Sequence, residues 1–199
     1  MRLVFFALLL ISISAIVNTT TQICYIFPNL TIPNSNATIL TSMKITITHI
    51  NKLNKNHLKQ LKKRIKLILK NLQVPTKTEL CITFVDDSVM RKLNKNYRQI
   101  DRTTDVLSFP QDVTKIAPDV NVPIARNNQR TNLILGDIVI SVDSAKRHAR
   151  VYQATLAKEI DKLIVHGILH LLGYDHKKKK DTILMRLKEK QLLSLIDSI

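Results

Sequence analysis

The sequence has little of what usually punctuates or staples a chain. Three glycines and six prolines in 199 residues exclude collagen-like and low-complexity architectures. Two cysteines, Cys24 and Cys81, cannot build a disulfide framework, so stability must come from burial or a bound metal. Tryptophan is absent and aromatics make up 5% of the chain, too few for an extended platform of stacked bases. Acidic residues are scarce as well. Fifteen Asp and Glu against 31 Lys and Arg give a net charge of +16, which favours anionic partners, nucleic acid or anionic membrane. No apolar run reaches the roughly 20 residues of a comfortable membrane-spanning helix. The longest, Leu3 to Val17, follows Arg2 and contains Ser12-Ile13-Ser14 before Ala15, a small-x-small cleavage pattern. It reads either as a secretory signal peptide or as a misassigned start upstream of Met43. Residues 18–42, rich in Asn, Thr and Ser with Pro28 and Pro33, suit a linker. Residues 1–42 are therefore set apart as an extension, and 43–199 as the domain. The extension contributes only Arg2 to the charge, so the basicity belongs to the domain.

What is present has the 45% apolar and 23% charged composition of a globular chain. Ile45 and Ile47 alternate with Thr46 and Thr48, predicting a strand over 43–50. Leu58, Leu61, Ile65, Ile68 and Leu72 recur at helical spacing, with Lys59, Lys62, Lys63, Lys66 and Lys70 forming a solvated surface. Residues 79–85 predict a second strand, and Asp86 and Asp87 cap a short helix carrying Val89, Leu93 and Tyr97. Further strands are expected at 105–109 and 133–140. An unusually long polar loop at 110–132 with three prolines joins them. Helices follow over 142–151 and 155–172, and an amphipathic helix over 181–197. Strands and helices mixed without strict alternation predict an α+β domain, a single mixed sheet of about four strands packed with helices.

The chemistry concentrates in HGILHLLGYDH at 166–176, which holds half of the six histidines and two of the three glycines. His166 and His170, four residues apart, stand about 40° apart on one helix face. Gly173, three residues later, is where a left-handed helix terminator belongs. Turning the chain there brings His176 back as a third nitrogen ligand. Three neutral imidazoles with an open fourth position describe a catalytic zinc centre, one Zn2+ per chain, whereas structural sites are closed by four protein ligands. Nickel or another divalent ion suits the same donors. Asp175 is a candidate acceptor for a ligand ring N–H. The spacing HxxxHxxGxxH is zincin-like, yet zincin peptidases carry Glu directly after the first histidine as general base. Here that position is Gly167, which cannot move a proton.

HGILHLLGYDH, with LNKNYRQIDRTTDVLSFP at 93–110 and LGDIVIS at 135–141, resembles the YbeY family of metal-dependent endoribonucleases. The resemblance covers essentially 43–199, including MKITI at the start and Met185 and Glu189 in the last helix. It implies single-strand-specific RNA cleavage in 3′-end maturation of small-subunit ribosomal RNA and in ribosome quality control. The implied partners are RNA and ribosomal subunits and the implied location is cytoplasmic, while a working leader would point to an organelle. No stable membrane contact is expected of 43–199. The resemblance places zinc ligands on His166, His170 and His176 and a catalytic arginine on Arg98. From the residues alone, a structural ion pair of Arg98 with Asp101 or Asp105 is the preferred reading, and the resemblance reverses that preference. Asp105 and Ser108 are expected to position their loop, and Asp137 to serve the fold or the surroundings of the ligands. Lys177 to Lys180 either guide a polyanion to the metal or begin the last helix as a solvated surface. Tyr97 and Tyr174 are the aromatic residues near the motifs that could stack a base. One departure stands out: Thr103 replaces the family's usual proline before Thr104-Asp105, which should loosen that turn slightly. Two other classes fit parts of the pattern, a zinc metallopeptidase of zincin type and a non-catalytic, zinc-stabilised RNA- or ribosome-binding protein.

Overall fold

A computed structural model describes residues 43–49, 55–111 and 133–198, so the leader at 1–42 and most of the 110–132 loop lie outside the described residues. Within them the expected α+β domain is found. Strands β1 (Lys44–His49), β2 (Thr78–Val85), β3 (Val106–Pro110) and β4 (Leu133–Ser141) form one sheet in the order β1-β2-β4-β3. The first three neighbours are parallel and β3 runs antiparallel to β4, so the sheet is mixed. Five helices accompany it: α1 (Lys55–Asn71), α2 (Asp87–Arg98), α3 (Val142–Val151), α4 (Leu156–Leu171) and α5 (Lys179–Asp197). No helix among the described residues is long and apolar enough to cross a membrane.

The periodicities translate directly into burial. On α1, Leu61, Ile65, Ile68 and Leu72 are buried while Lys59, Lys62, Lys63, Lys66 and Lys70 are exposed, as an amphipathic helix requires. Leu80, Ile82 and Phe84 of β2 and Ile138 and Ile140 of β4 form the centre of the core. Ile164, Ile168 and Leu169 of α4 and Leu192 of α5 belong to the same cluster. Each such side chain contributes roughly 1.5–3 kcal/mol through removal from water. α4 is thus a core helix that also carries two of the motif histidines.

Two local devices tie the helices to the sheet and to one another, the first where α4 meets the sheet. Between Glu79 and Leu80 the pairing of β2 with β4 skips Leu135, a bulge that sets Gly136 at φ +135°. A Cβ on Gly136 would overlap the Phe109 carbonyl and lie 3.1 Å from a methyl of Leu171, in the last turn of α4. Gly167 lies just as close to the sheet. A Cβ there would meet two carbons of Ile138 at 3.0 Å and the Ser108 hydroxyl at 3.2 Å. Ser108 therefore serves the packing of α4 as well as its own strand.

The other device is an acidic knot. Asp87 Oδ1 accepts from Ser141 Oγ (2.5 Å), Ser144 Oγ (2.9 Å) and Thr103 Oγ1 (3.2 Å), and Oδ2 pairs with Arg147 (2.6 Å). The expected looseness at Thr103 is offset by this hydroxyl, which ties the turn to the start of α2. Arg147, followed by Ser141 and Ser144, holds the Asp87 carboxyl well below the usual carboxylate range. A depressed pKa contributes stability above the unfolded value of about 3.9, lost as pH falls through the folded one. Asp87→Asn should therefore lower the melting temperature at pH 7 by an amount equivalent to ~1–2 kcal/mol, the exposed guanidinium limiting the loss. Thermal melts from pH 7 to pH 2 should show the gap to the unsubstituted protein closing below about pH 4. Gly136→Ala should cost more, ~3 kcal/mol, because both backbone conformation and space oppose a side chain. Urea unfolding at pH 7 measures it.

Candidate metal centre

α4 begins with Thr155, whose hydroxyl accepts from Lys158 N at 3.2 Å, and runs without a break to Leu171. It ends as the glycine spacing predicts. Gly173 sits at φ +87°, Gly173 N–H reaches the His170 carbonyl at 3.0 Å, and Tyr174 N–H reaches the Leu169 carbonyl at 3.0 Å. This reversal carries His176 back over the end of α4. The rings of His166, His170 and His176 then face one another, with centroids 4.5 to 5.9 Å apart.

One nitrogen from each of the three rings lies within 4.8 Å of the others. His166 Nε2 and His170 Nε2 are 3.1 Å apart. Their opposite nitrogens are engaged: His166 Nδ1 with Glu189 Oε1 at 2.7 Å, His170 Nδ1 with the Tyr174 carbonyl at 3.0 Å. Both partners are acceptors, so the proton belongs on each Nδ1 and the two Nε2 lone pairs point inward. Two lone pairs at that separation repel unless a cation lies between them, and the donor set fits a divalent ion. Burial, reinforced by the neighbouring His166 and His176, holds His170 below its ordinary pKa, which favours the neutral imidazole a metal requires. Among the described residues no carboxylate or thiol joins this cluster.

Glu189 was visible in the sequence only as part of a family-like final helix; its role at His166 was not. The signal was available. Met185, one turn earlier on α5, is buried, so an acid four residues later faces inward too. Asp175, a candidate acceptor for one of the rings, turns elsewhere. Its Oδ1 accepts from the His176 backbone N–H at 2.7 Å and its Oδ2 pairs with Lys177 at 3.1 Å, since its short side chain reaches its own turn first.

His166 and His176 stand in the wall of a cleft of about 430 Å³ that also includes Asp105, Lys162, Arg186 and Glu189. None of Lys177 to Lys180 lines it; the cleft's positive charge comes from Lys162 on α4 and Arg186 on α5. Asp105 caps its own turn through Val106 N–H (2.9 Å) and Thr104 Oγ1 (3.2 Å), matching its expected positioning role. Its Oδ2 lies 3.7 Å from His148 Nδ1, which is 3.4 Å from the buried Glu159. Asp137 sits on β4, where burial raises the pKa of its carboxyl against hydrogen bonds from Gln111 and Cys81, and it is not among the residues lining the cleft.

Arg98 is exposed at the end of α2, which stops because Gln99 turns left-handed at φ +61°. It is not among the residues lining the cleft. The ion-pair partners that sequence offered it are occupied. Asp101 binds Arg91 (2.8 Å) and Lys95 (2.9 Å), and Asp105 faces its own turn and His148. No ion pair of the described residues involves Arg98. Of the two expected stacking residues, Tyr97 packs edge-on against Phe109 at 5.0 Å, and Tyr174 packs against the core.

Comparison with known proteins agrees with this arrangement. The family model described as Endoribonuclease YbeY matches residues 43–197. The chain belongs to the YbeY family of endoribonucleases. A Clostridium botulinum (strain Eklund 17B) protein named Endoribonuclease YbeY is 36% identical over 148 residues, covering 71% of this chain and 87% of that protein. The Pelotomaculum thermopropionicum protein of the same name is 42% identical over 119 residues, 60% of this chain and 72% of its own. Among solved structures, the solution structure of TM1509 from Thermotoga maritima superposes with a TM-score of 0.53 at 27% identity. The match covers 76% of this chain and 88% of that one. This YbeY-family chain is accordingly a nuclease of the hydrolase class, with a histidine triad able to hold its metal.

The Glu189–His166 contact makes a specific demand. Glu189→Gln should weaken divalent-metal affinity by roughly 10- to 100-fold, because the amide no longer holds the His166 proton with a full charge. Competitive titration against a chromophoric chelator reads this directly, with unchanged far-UV circular dichroism showing that the fold survives.

Proposed function

We propose that residues 43–199 act as a zinc-dependent endoribonuclease on single-stranded RNA. Its substrate is ribosomal RNA, whose small-subunit 3′ end it matures in the cytoplasm, and it takes part in ribosome quality control through contact with ribosomal subunits. The observation that carries this reading is the convergence of three imidazole nitrogens beside a cleft furnished with two cations, Lys162 and Arg186. Zinc fits three neutral imidazoles that leave one position for an oxygen. When bound, it supplies Lewis-acid stabilisation of charge developing on a phosphate.

The chain's own residues do the rest. Glu189 and the Tyr174 carbonyl hold the His166 and His170 rings in one tautomer and one orientation. Lys162 and Arg186 attract the polyanion and hold phosphates of the strand. Arg98, with its sequence-expected acidic partners engaged elsewhere, presents a planar guanidinium for a bidentate contact to phosphate that lysine would match poorly. The peptidase reading has no support at Gly167, where packing against Ile138 and Ser108 leaves no room for a base. The reading as a non-catalytic binding protein predicts that metal removal unfolds the domain; a catalytic ion leaves a folded, inactive apoprotein.

Chelation of the purified full chain should abolish cleavage of an unstructured RNA, leave the circular dichroism spectrum in place, and be reversed by zinc. His170→Ala should lose both bound metal and cleavage. Arg98→Ala should keep the metal and lose turnover by roughly 10²-fold, the scale of removing one transition-state charge contact. Casein should remain intact throughout. Cleavage of RNA by metal-free His170→Ala protein would overturn the proposal.

A further inference from the structure

Among the described residues two aromatic side chains are exposed, Tyr97 at 45% and packed edge-on against Phe109, and Tyr152, which lies more fully in the open. Tyr152, at the end of α3, is 66% exposed, next to Val151 at 73%. It belongs to none of the motifs, yet its backbone is firmly held. Tyr152 N–H reaches the His148 carbonyl at 2.9 Å, Ala154 N–H reaches the Ala149 carbonyl at 2.9 Å, and Gln153 closes the turn at φ +51°. The backbone that carries the ring is already ordered, so a partner binding there costs the protein little backbone freedom.

The ring is linked to the cleft through one side chain. Lys162 Nζ stands 5.1 Å from the centre of the Tyr152 ring and 3.7 Å from Glu159 Oε2. Lys162 lies one helical turn before His166 and lines the same cleft as His166 and His176. His148 supports the arrangement edge-on to Tyr152, with centroids 6.4 Å apart. A cation at the cleft wall beside an aromatic face is the pair of groups that a nucleotide presents a match for, phosphate to the one and base to the other.

We propose that Tyr152 and Lys162 form a subsite for one nucleotide flanking the cleaved bond, Tyr152 stacking its base and Lys162 binding its phosphate. The inference rests on the RNA-cleaving function proposed above and supplies a source for its preference for single strands. A base within a duplex is stacked and paired and cannot lie on Tyr152, whereas an unpaired base can. Stacking tolerates any base, so the subsite selects strandedness without reading sequence.

Equilibrium binding of the full chain to a ten-nucleotide 2′-O-methyl single strand tests this without requiring cleavage, with 2-aminopurine moved along it one position at a time. The expected result is quenching of the probe at one position with unsubstituted protein and with Tyr152→Phe, but not with Tyr152→Ala. Affinity should fall about tenfold in Tyr152→Ala and stay in Tyr152→Phe. An abasic site at the quenched position should weaken the unsubstituted protein by a similar factor and Tyr152→Ala no further. Lys162→Gln should lower the slope of log affinity against log salt by about 0.7, one phosphate contact on a single strand. Equal affinity and quenching for Tyr152→Ala and unsubstituted protein would overturn the subsite, as would an abasic penalty of equal size in both. Absence of RNA cleavage by the unsubstituted protein would instead refute the nuclease reading and leave this binding readout intact.

Discussion

The centre depends on how deeply α4 is bedded in the sheet. Gly167 lies between the two helix-borne histidines and touches the side chains of Ile138 and Ser108, while Leu171 comes down onto the bulge at Gly136. Interiors of this density do not yield by small degrees, so the helix has one seat on the sheet. That seat determines where His166 and His170 project. With the helix fixed, Gly173 determines where the returning chain delivers His176. Two of the three glycines therefore sit inside the motif for different physical reasons, one for close approach and one for a left-handed turn.

A second layer of constraint acts on the rings. An imidazole on a rigid helix still rotates about its side-chain bonds, and only a partner on the far nitrogen fixes which nitrogen faces the metal. Glu189 does this for His166 from a different helix, and the Tyr174 carbonyl does it for His170 from the turn that Gly173 creates. The packing of α5 against the core through Met185 and Leu192 is thus part of the chemistry as well as of stability. The surrounding charge follows the same economy. The cations that face the cleft, Lys162 and Arg186, come from α4 and α5, the helices that carry His166 and His170 and the acid that orients His166.

Much of this was legible in the sequence, and what was legible was local. Helix and strand periods located every described element to within a few residues, the histidine spacing marked the centre, and Gly173 signalled the reversal. Relations across elements were less accessible. Glu189 lies 23 residues from His166, and its inward direction follows from its spacing to Met185 only once α5 is seen as a core helix. The direction of Asp175 is not legible in the sequence: proximity along the chain leaves it a candidate for the rings, whereas a short acid in a tight turn satisfies the nearest backbone N–H. Thr103 was read as a missing proline, and its hydroxyl finds Asp87, sixteen residues away. Tyr152 belonged to no motif, and its exposure is a property of the folded surface alone. The lysine run at 177–180 is basic and exposed, yet charge density along the chain does not say which cations face a cleft.

The chemistry of this centre turns on three imidazole nitrogens that can converge on one divalent cation and leave a position for a light oxygen ligand. X-ray absorption at the metal edge of the purified, metal-replete protein tests it most directly. Three imidazole nitrogens at about 2.0–2.1 Å are expected, with one further oxygen that is not supplied by the protein. A fourth protein ligand, whether sulfur, carboxylate or imidazole, or scattering from fewer than three imidazoles, would contradict it.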